Sequence, residues 1–122
     1  MDDSRIWAHE FVKQVSKRNV DYLLGLFDDE ATVYEPFSAT GTVSGRVELE
    51  SFLKVFCKYT SAVVDMKSVR VSTMRDAPYS ATAAVTLGKG ARSKLVFEFN
   101  LAKSPPSQGN DNLRVKKLKI SL

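Results

Sequence analysis

Few residues in this chain could do chemistry, and their types narrow the options. One carboxylate stands out: Glu35 ends a short β-prone run, directly before Pro36. A carboxylate held at a strand end beside apolar groups can act as a general base. The same group reads equally well as a solvated strand-end carboxylate. His9 is the only histidine, which removes Ser-His-Asp triads, histidine dyads and multi-histidine metal sites. On a helix it falls about 200° from Trp7, off the apolar face, in a solvated or interface position. Cys57 is the only cysteine. It has no disulfide partner and no motif that would make it a nucleophile, so it reads as a packed thiol. The chain shows no Gly-rich phosphate loop and no metal-ligand spacing, so neither cofactor nor metal is expected.

Aromatic residues supply the second feature. Trp7, Phe11, Phe37, Phe52, Phe56, Tyr59, Phe97 and Phe99 are spread over helical and strand-like segments. Gathered around one space, they would line a pocket suited to a flat apolar ligand. The plainer reading is an aromatic core. Tyr79, Ala81, Ala83, Val85 and Leu87 share one face of a strand. The small residues among them either leave room for a cavity or face a large neighbour.

The elements that must position these groups follow from periodicity. Residues 5–18 read as a helix with Trp7, Ala8, Phe11, Val12 and Val15 on one face. Asn19 is placed to cap a short helix from Val20 to Phe27, which ends in a solvated acidic turn at Asp28, Asp29 and Glu30. Ala31 to Glu35 is β-prone and stops at Pro36, with Tyr34 facing away from Glu35. Thr40 to Ser44 returns as a short partner strand. Gly45 opens a third helix, about Arg46 to Lys58, with Val47, Leu49, Phe52, Leu53 and Phe56 on its apolar side.

The second half changes period. Ser68–Met74, Tyr79–Leu87, Leu95–Lys103 and Leu113–Leu122 read as strands. Gly88-Lys89-Gly90 marks a tight hairpin, and Ser104 to Asp111 a long polar loop. Along the third of these strands Phe97, Phe99 and Leu101 face inward, while Glu98 faces out. Helices first and antiparallel strands afterwards give an α+β domain, residues 1–122, with helices against one sheet.

Composition excludes several classes. With 122 residues, 43% of them hydrophobic and 26% charged, the chain has the make-up of one ordinary globular domain. The net charge of +4 is spread along the chain apart from Arg114 to Lys119, where cations alternate with apolar residues as on an exposed strand face. A nucleic-acid partner would call for a focused basic patch with aromatics between the cations, so none is expected. No apolar run approaches a membrane span, and no basic-then-apolar leader opens the chain. With a lone cysteine, the expectation is a cytoplasmic setting.

The order and wording of these segments resemble a known group. The phrases LLGLFDDEATVYEP and GRVELESFL, with a Gly-Arg helix start at Gly45-Arg46, are similar to the opening of the nuclear transport factor 2-like superfamily. The likeness is to its SnoaL-like and ketosteroid isomerase-like branch. The resemblance implies a cone-shaped, strongly bent, mostly antiparallel sheet of the cystatin-like type, with three N-terminal helices in its concave face. It also implies an apolar pocket for a small ligand, and a homodimer through the outer sheet face. Val69, Val71, Thr73 and the last strand would supply part of that contact.

Glu35 sits where ketosteroid isomerases carry their base. Their oxyanion-binding tyrosine corresponds to Phe11, and their second carboxylic acid to a strand whose inward positions here are Phe97, Phe99 and Leu101. The base position is thus filled while both oxyanion donors are missing. In other enzymes such a donor supplies about 3–4 kcal/mol; ketosteroid isomerase is the worked example of a neutral acid serving as one. Steroid isomerisation is therefore not expected. Two classes remain: cyclase- or isomerase-type proton transfer by Glu35, or a non-catalytic ligand-binding or interaction module.

Overall fold

The computed structural model describes residues 3–88, 93–103 and 113–122. The central residues of the expected Gly88 hairpin and the whole loop expected at Ser104 to Asp111 lie outside these. The order is α1 (Asp3–Ser16), α2 (Val20–Gly25), β1 (Phe27–Tyr34), β2 (Thr42–Ser44), α3 (Arg46–Thr60), β3 (Val64–Met74), β4 (Ala77–Leu87), β5 (Lys94–Lys103) and β6 (Leu113–Ser121). The strands form one six-stranded sheet in the order β2-β1-β6-β5-β4-β3. Every pairing is antiparallel except β1 with β6. The sheet is curved and unclosed, with the helices on one face.

Register breaks account for the bend. Pairing shifts within β3–β4, β5–β6 and β1–β6, and each bulge turns its strand and raises the local twist. The break in β6 also resets its phase. Leu101 pairs with Val115 and Asn100 with Lys117, so Lys116 is the extra residue. Val115 and Leu118 can then both face the core, although they stand three apart.

The core lies between α1, α3 and the concave sheet face. Phe11, Val12 and Val15 of α1, Leu49 and Leu53 of α3, and Leu95, Phe97, Phe99 and Leu101 of β5 are all buried. Phe97 stands directly across from Ala83, and Phe99 from Ala81. The small residues of β4 therefore face large neighbours and make room for α1, which packs over β3 and β4. Trp7 closes the near end, its indole Nε1 donating to the Leu113 carbonyl at 3.1 Å.

Several local expectations change. The second helix ends at Gly25, and Asp28, Asp29 and Glu30 belong to β1, because pairing with β6 begins at Phe27. Asn19 makes no side-chain cap; its amide donates to Gln14 Oε1 on α1 at 3.0 Å instead. Val47 is solvent-exposed, since it stands about 200° around the helix from Leu49. Val71 and Thr73 pair with the buried Ala83 and Ala81. With Val69 they lie on the helix side of the sheet, where Val69 and Val71 pack against the core. They are not an outer dimer contact, as expected from sequence, because cross-strand partners share a face.

Candidate functional site

The site is built where β1 runs out. Tyr34 pairs with Thr42 and Lys119. Its ring lies on the outer face, with Lys117 Nζ 5.8 Å from the ring centre. Glu35 comes next and, by alternation, turns to the inner side, where it is only 5% exposed. Its backbone N–H donates to the Gly41 carbonyl at 3.0 Å, closing a loop over residues 35–41. Gly41 has φ +72°, a conformation that other residues adopt only with strain.

The Glu35 carboxylate organises that loop. Oε2 accepts the backbone N–H of Phe37 at 2.8 Å and of Ser38 at 3.0 Å. Oε1 accepts the Ser38 hydroxyl. Ser38 Oγ in turn accepts the Gly41 N–H at 3.1 Å. Three donors thus fill most of the roughly four acceptor positions of a carboxylate. Glu35 is neither a solvated strand-end group nor an isolated charge in an apolar wall.

Facing the loop is α3. Leu49, Leu53, Phe56, Cys57 and Thr60 form its buried side. A second stripe, Phe52, Val55, Phe56 and Tyr59, follows the i, i+3, i+4, i+7 spacing of one helix face. Between this stripe and the loop lies a half-open, apolar cavity of about 390 Å³. It is lined by Glu35, Phe37 and Ser38 from the loop and by Phe52, Val55, Phe56, Tyr59 and Thr60 from α3. Phe37, Val55 and Tyr59 are 53%, 58% and 68% exposed and form its rim.

The helix is held against the loop's parent strand by Arg46. Its guanidinium donates to the Leu24 carbonyl at 2.8 Å and the Phe27 carbonyl at 3.3 Å, and pairs with Asp29 at 2.8 Å. Gly45, at φ +87°, gives the backbone the turn that starts α3 there. The Gly-Arg pair seen in the sequence therefore sets one wall of the cavity.

The aromatic residues expected around one space divide into two groups. Phe37, Phe52 and Phe56 line the cavity with Glu35. Trp7, Phe11 and Phe99 pack with Phe27 and Phe97 under α1, with ring centres 4.9–6.0 Å apart. Phe97 and Phe56, 6.0 Å apart edge to face, join the two groups. The division arises because α1 fills the space above β4 and β5, whereas the loop covers α3 from one side only. Sequence reasoning missed Ser38, Val55 and Thr60. The helical spacing from Phe52 was enough to find Val55, and Thr60 lies one turn after Phe56. Nothing in the sequence singles out Ser38.

Other reactive groups lie elsewhere. His9 is exposed and lines a shallow groove between α1 and β3 with Arg5, Glu10 and Arg70. Cys57 is buried, and burial pushes its thiol from 9.0 up to about 11. Glu98 faces outward, 4.0 Å from Lys119. Among the described residues no group of three or more His, Cys, Asp or Glu is placed to hold a metal ion, and no helix is long and apolar enough to cross a membrane.

The sequence matches no protein-family model and no curated protein. Solved structures match its fold. An NTF2-like protein from Anabaena variabilis superposes with a TM-score of 0.69 at 13% identity, covering 98% of this chain and 89% of that one. An NTF2-like protein with a cystatin-like fold from Novosphingobium aromaticivorans gives 0.62 at 13% identity, covering 98% and 79%. ActVI-ORFA from Streptomyces coelicolor gives 0.57 at 10% identity, covering 95% and 93%. The chain has the nuclear transport factor 2-like, cystatin-like fold.

Proposed function

We propose that this protein binds a small, flat, apolar molecule in the cavity between α3 and the 35–41 loop. The observation that carries this reading is the apolar space of about 390 Å³, walled by Phe37, Phe52 and Phe56 with one buried carboxylate at its edge. Such a space is of ligand size, and its walls are mostly apolar with a few polar residues among them. Benzofuran is a suitable probe. In an amide NMR titration it should shift the signals of Phe37, Phe52, Phe56 and Tyr59. Val55→Arg should weaken binding at least about tenfold by placing a charged side chain at the rim, with stability changed by only about 0.5 kcal/mol. Shifts confined to other parts of the protein, or none with either benzofuran or indole at saturation, would overturn the reading.

A second reading is proton transfer at that site, of isomerase or cyclase type. It is favoured by two hydroxyl-bearing residues, Tyr59 and Thr60, which line the cavity alongside Glu35. Glu35 would take a proton from the carbon beside a ligand carbonyl, and a hydroxyl would donate to the resulting enolate oxygen. The test is deuterium exchange into 2-tetralone, followed by proton NMR. Exchange above the buffer rate that disappears in Glu35→Gln supports proton transfer; exchange at the buffer rate leaves a binding module alone.

The homodimer belongs to the same proposal. Thr82, Glu98 and Lys119 pair across β4, β5 and β6 on the sheet face away from the helices. That face is the surface offered to a second copy. Sedimentation as a monomer at micromolar concentration would exclude it.

A further inference from the structure

The cavity's polar side is not neutral towards ligand chemistry. Among the described residues that line it, Glu35 is the only charged one. Its carboxylate is pinned by Phe37 N–H, Ser38 N–H and the Ser38 hydroxyl. A carboxylate offers about four acceptor positions and no donor. Three are taken by the loop, so one remains for an outside donor.

We infer that the cavity selects flat apolar ligands bearing a hydrogen-bond donor, such as an aromatic N–H or hydroxyl, and that Glu35 reads that donor. The inference rests on the pocket reading above and adds the polarity of the ligand to it. A donor entering the site completes the acceptor set of Glu35. A ligand that presents only an acceptor there brings two electron-rich oxygens together and leaves the remaining acceptor position of Glu35 unfilled. A ligand carboxylate fares worse, because it brings a second negative charge beside the first.

The loop makes this selection structural as well as electrostatic. Phe37 and Ser38 are both bonded to Glu35 through their backbone N–H groups, and both line the cavity. The group that reads the ligand therefore also holds one wall in place. Glu35 moves little on binding, because its loop bonds already restrict its side chain, and preorganisation of this kind lowers the entropic cost of binding.

The test compares indole with benzofuran, which have nearly the same shape and differ in the ring atom: a donating N–H in one, an oxygen without a proton in the other. Dissociation constants come from amide NMR titrations of the intact protein. Indole should bind about tenfold more tightly, the preference expected for a hydrogen bond to a charged acceptor, and its N–H proton signal should move downfield on binding. In Glu35→Gln, checked for a native-like amide spectrum, the preference should fall to about twofold or less. Equal affinities in the wild-type protein would overturn the inference while leaving the pocket reading intact, and this comparison needs no variant to fold. A preference that survives Glu35→Gln would overturn the assignment to Glu35. Binding of neither compound would overturn both the pocket and the inference.

Discussion

Phe11 and Phe37 are the same side chain in two settings. Phe11 is buried in a ring cluster with Trp7, Phe27, Phe97 and Phe99, where every side meets another element. Phe37 meets Phe56 at 6.0 Å and is otherwise half in solvent at the edge of a cavity. Residue type alone does not separate the two; the number of elements that converge on each does. Helix α1, β1 and β5 surround Phe11, so its apolar area contributes to folding. Phe37 stands on a loop opposite one helix, so part of its apolar area stays available to a ligand.

The sharpest break of this comparison is truncation. Phe11→Ala should destabilise the protein by about 3–5 kcal/mol, because it opens a void among packed rings. Phe37→Ala should cost under about 1 kcal/mol, as a half-exposed side chain loses little on truncation, yet weaken benzofuran binding. Denaturant midpoints of the two variants decide it, and equal costs would dissolve the distinction between core and site.

A smaller effect sharpens the core side. Trp7→Phe keeps an aromatic ring against Phe11 and Phe99 but removes the donor to the Leu113 carbonyl, and should cost about 1 kcal/mol. An unchanged midpoint would mean that ring packing against Phe99 of β5, and not the bond to β6, holds this end of α1.

The mildest test concerns Cys57, on the buried side of α3 behind the cavity. Its folded pKa is raised to about 11 from 9.0. The stability that this contributes is present below pH 9 and is lost as pH rises towards 11, because the unfolded thiol ionises first. Iodoacetamide should therefore modify the native protein far more slowly than the unfolded one at pH 8. Equal rates would place the thiol in solvent and loosen that side of the cavity wall.

Much of the fold was legible because periodicity records burial. The inward run Phe97, Phe99 and Leu101, the outward Glu98 and Tyr34, and the exposed His9 all follow from alternation or helical spacing, and each stands as expected. The misreadings share one cause. Asp28 to Glu30 read as a turn because of their charge, but they lie within β1, between Phe27 and Thr32, which both pair with β6. Val69, Val71 and Thr73 were placed on the outer face because a single strand does not reveal which of its two faces a helix will cover. Asn19 had the right type for a cap and found a partner on α1 instead.

What the sequence determined by itself is local: where helices and strands run, which face of each is apolar, and that Glu35 precedes a proline at the end of a strand. These follow from backbone geometry and from side-chain spacing within one element. Only the tertiary structure decided that the Phe52–Tyr59 stripe of α3 faces the 35–41 loop across an open space, and that the aromatic residues split into a closed core and an open cavity. These outcomes depend on contacts between segments far apart in the chain, such as β1 with β6 and the 35–41 loop with α3, and no single element carries that information.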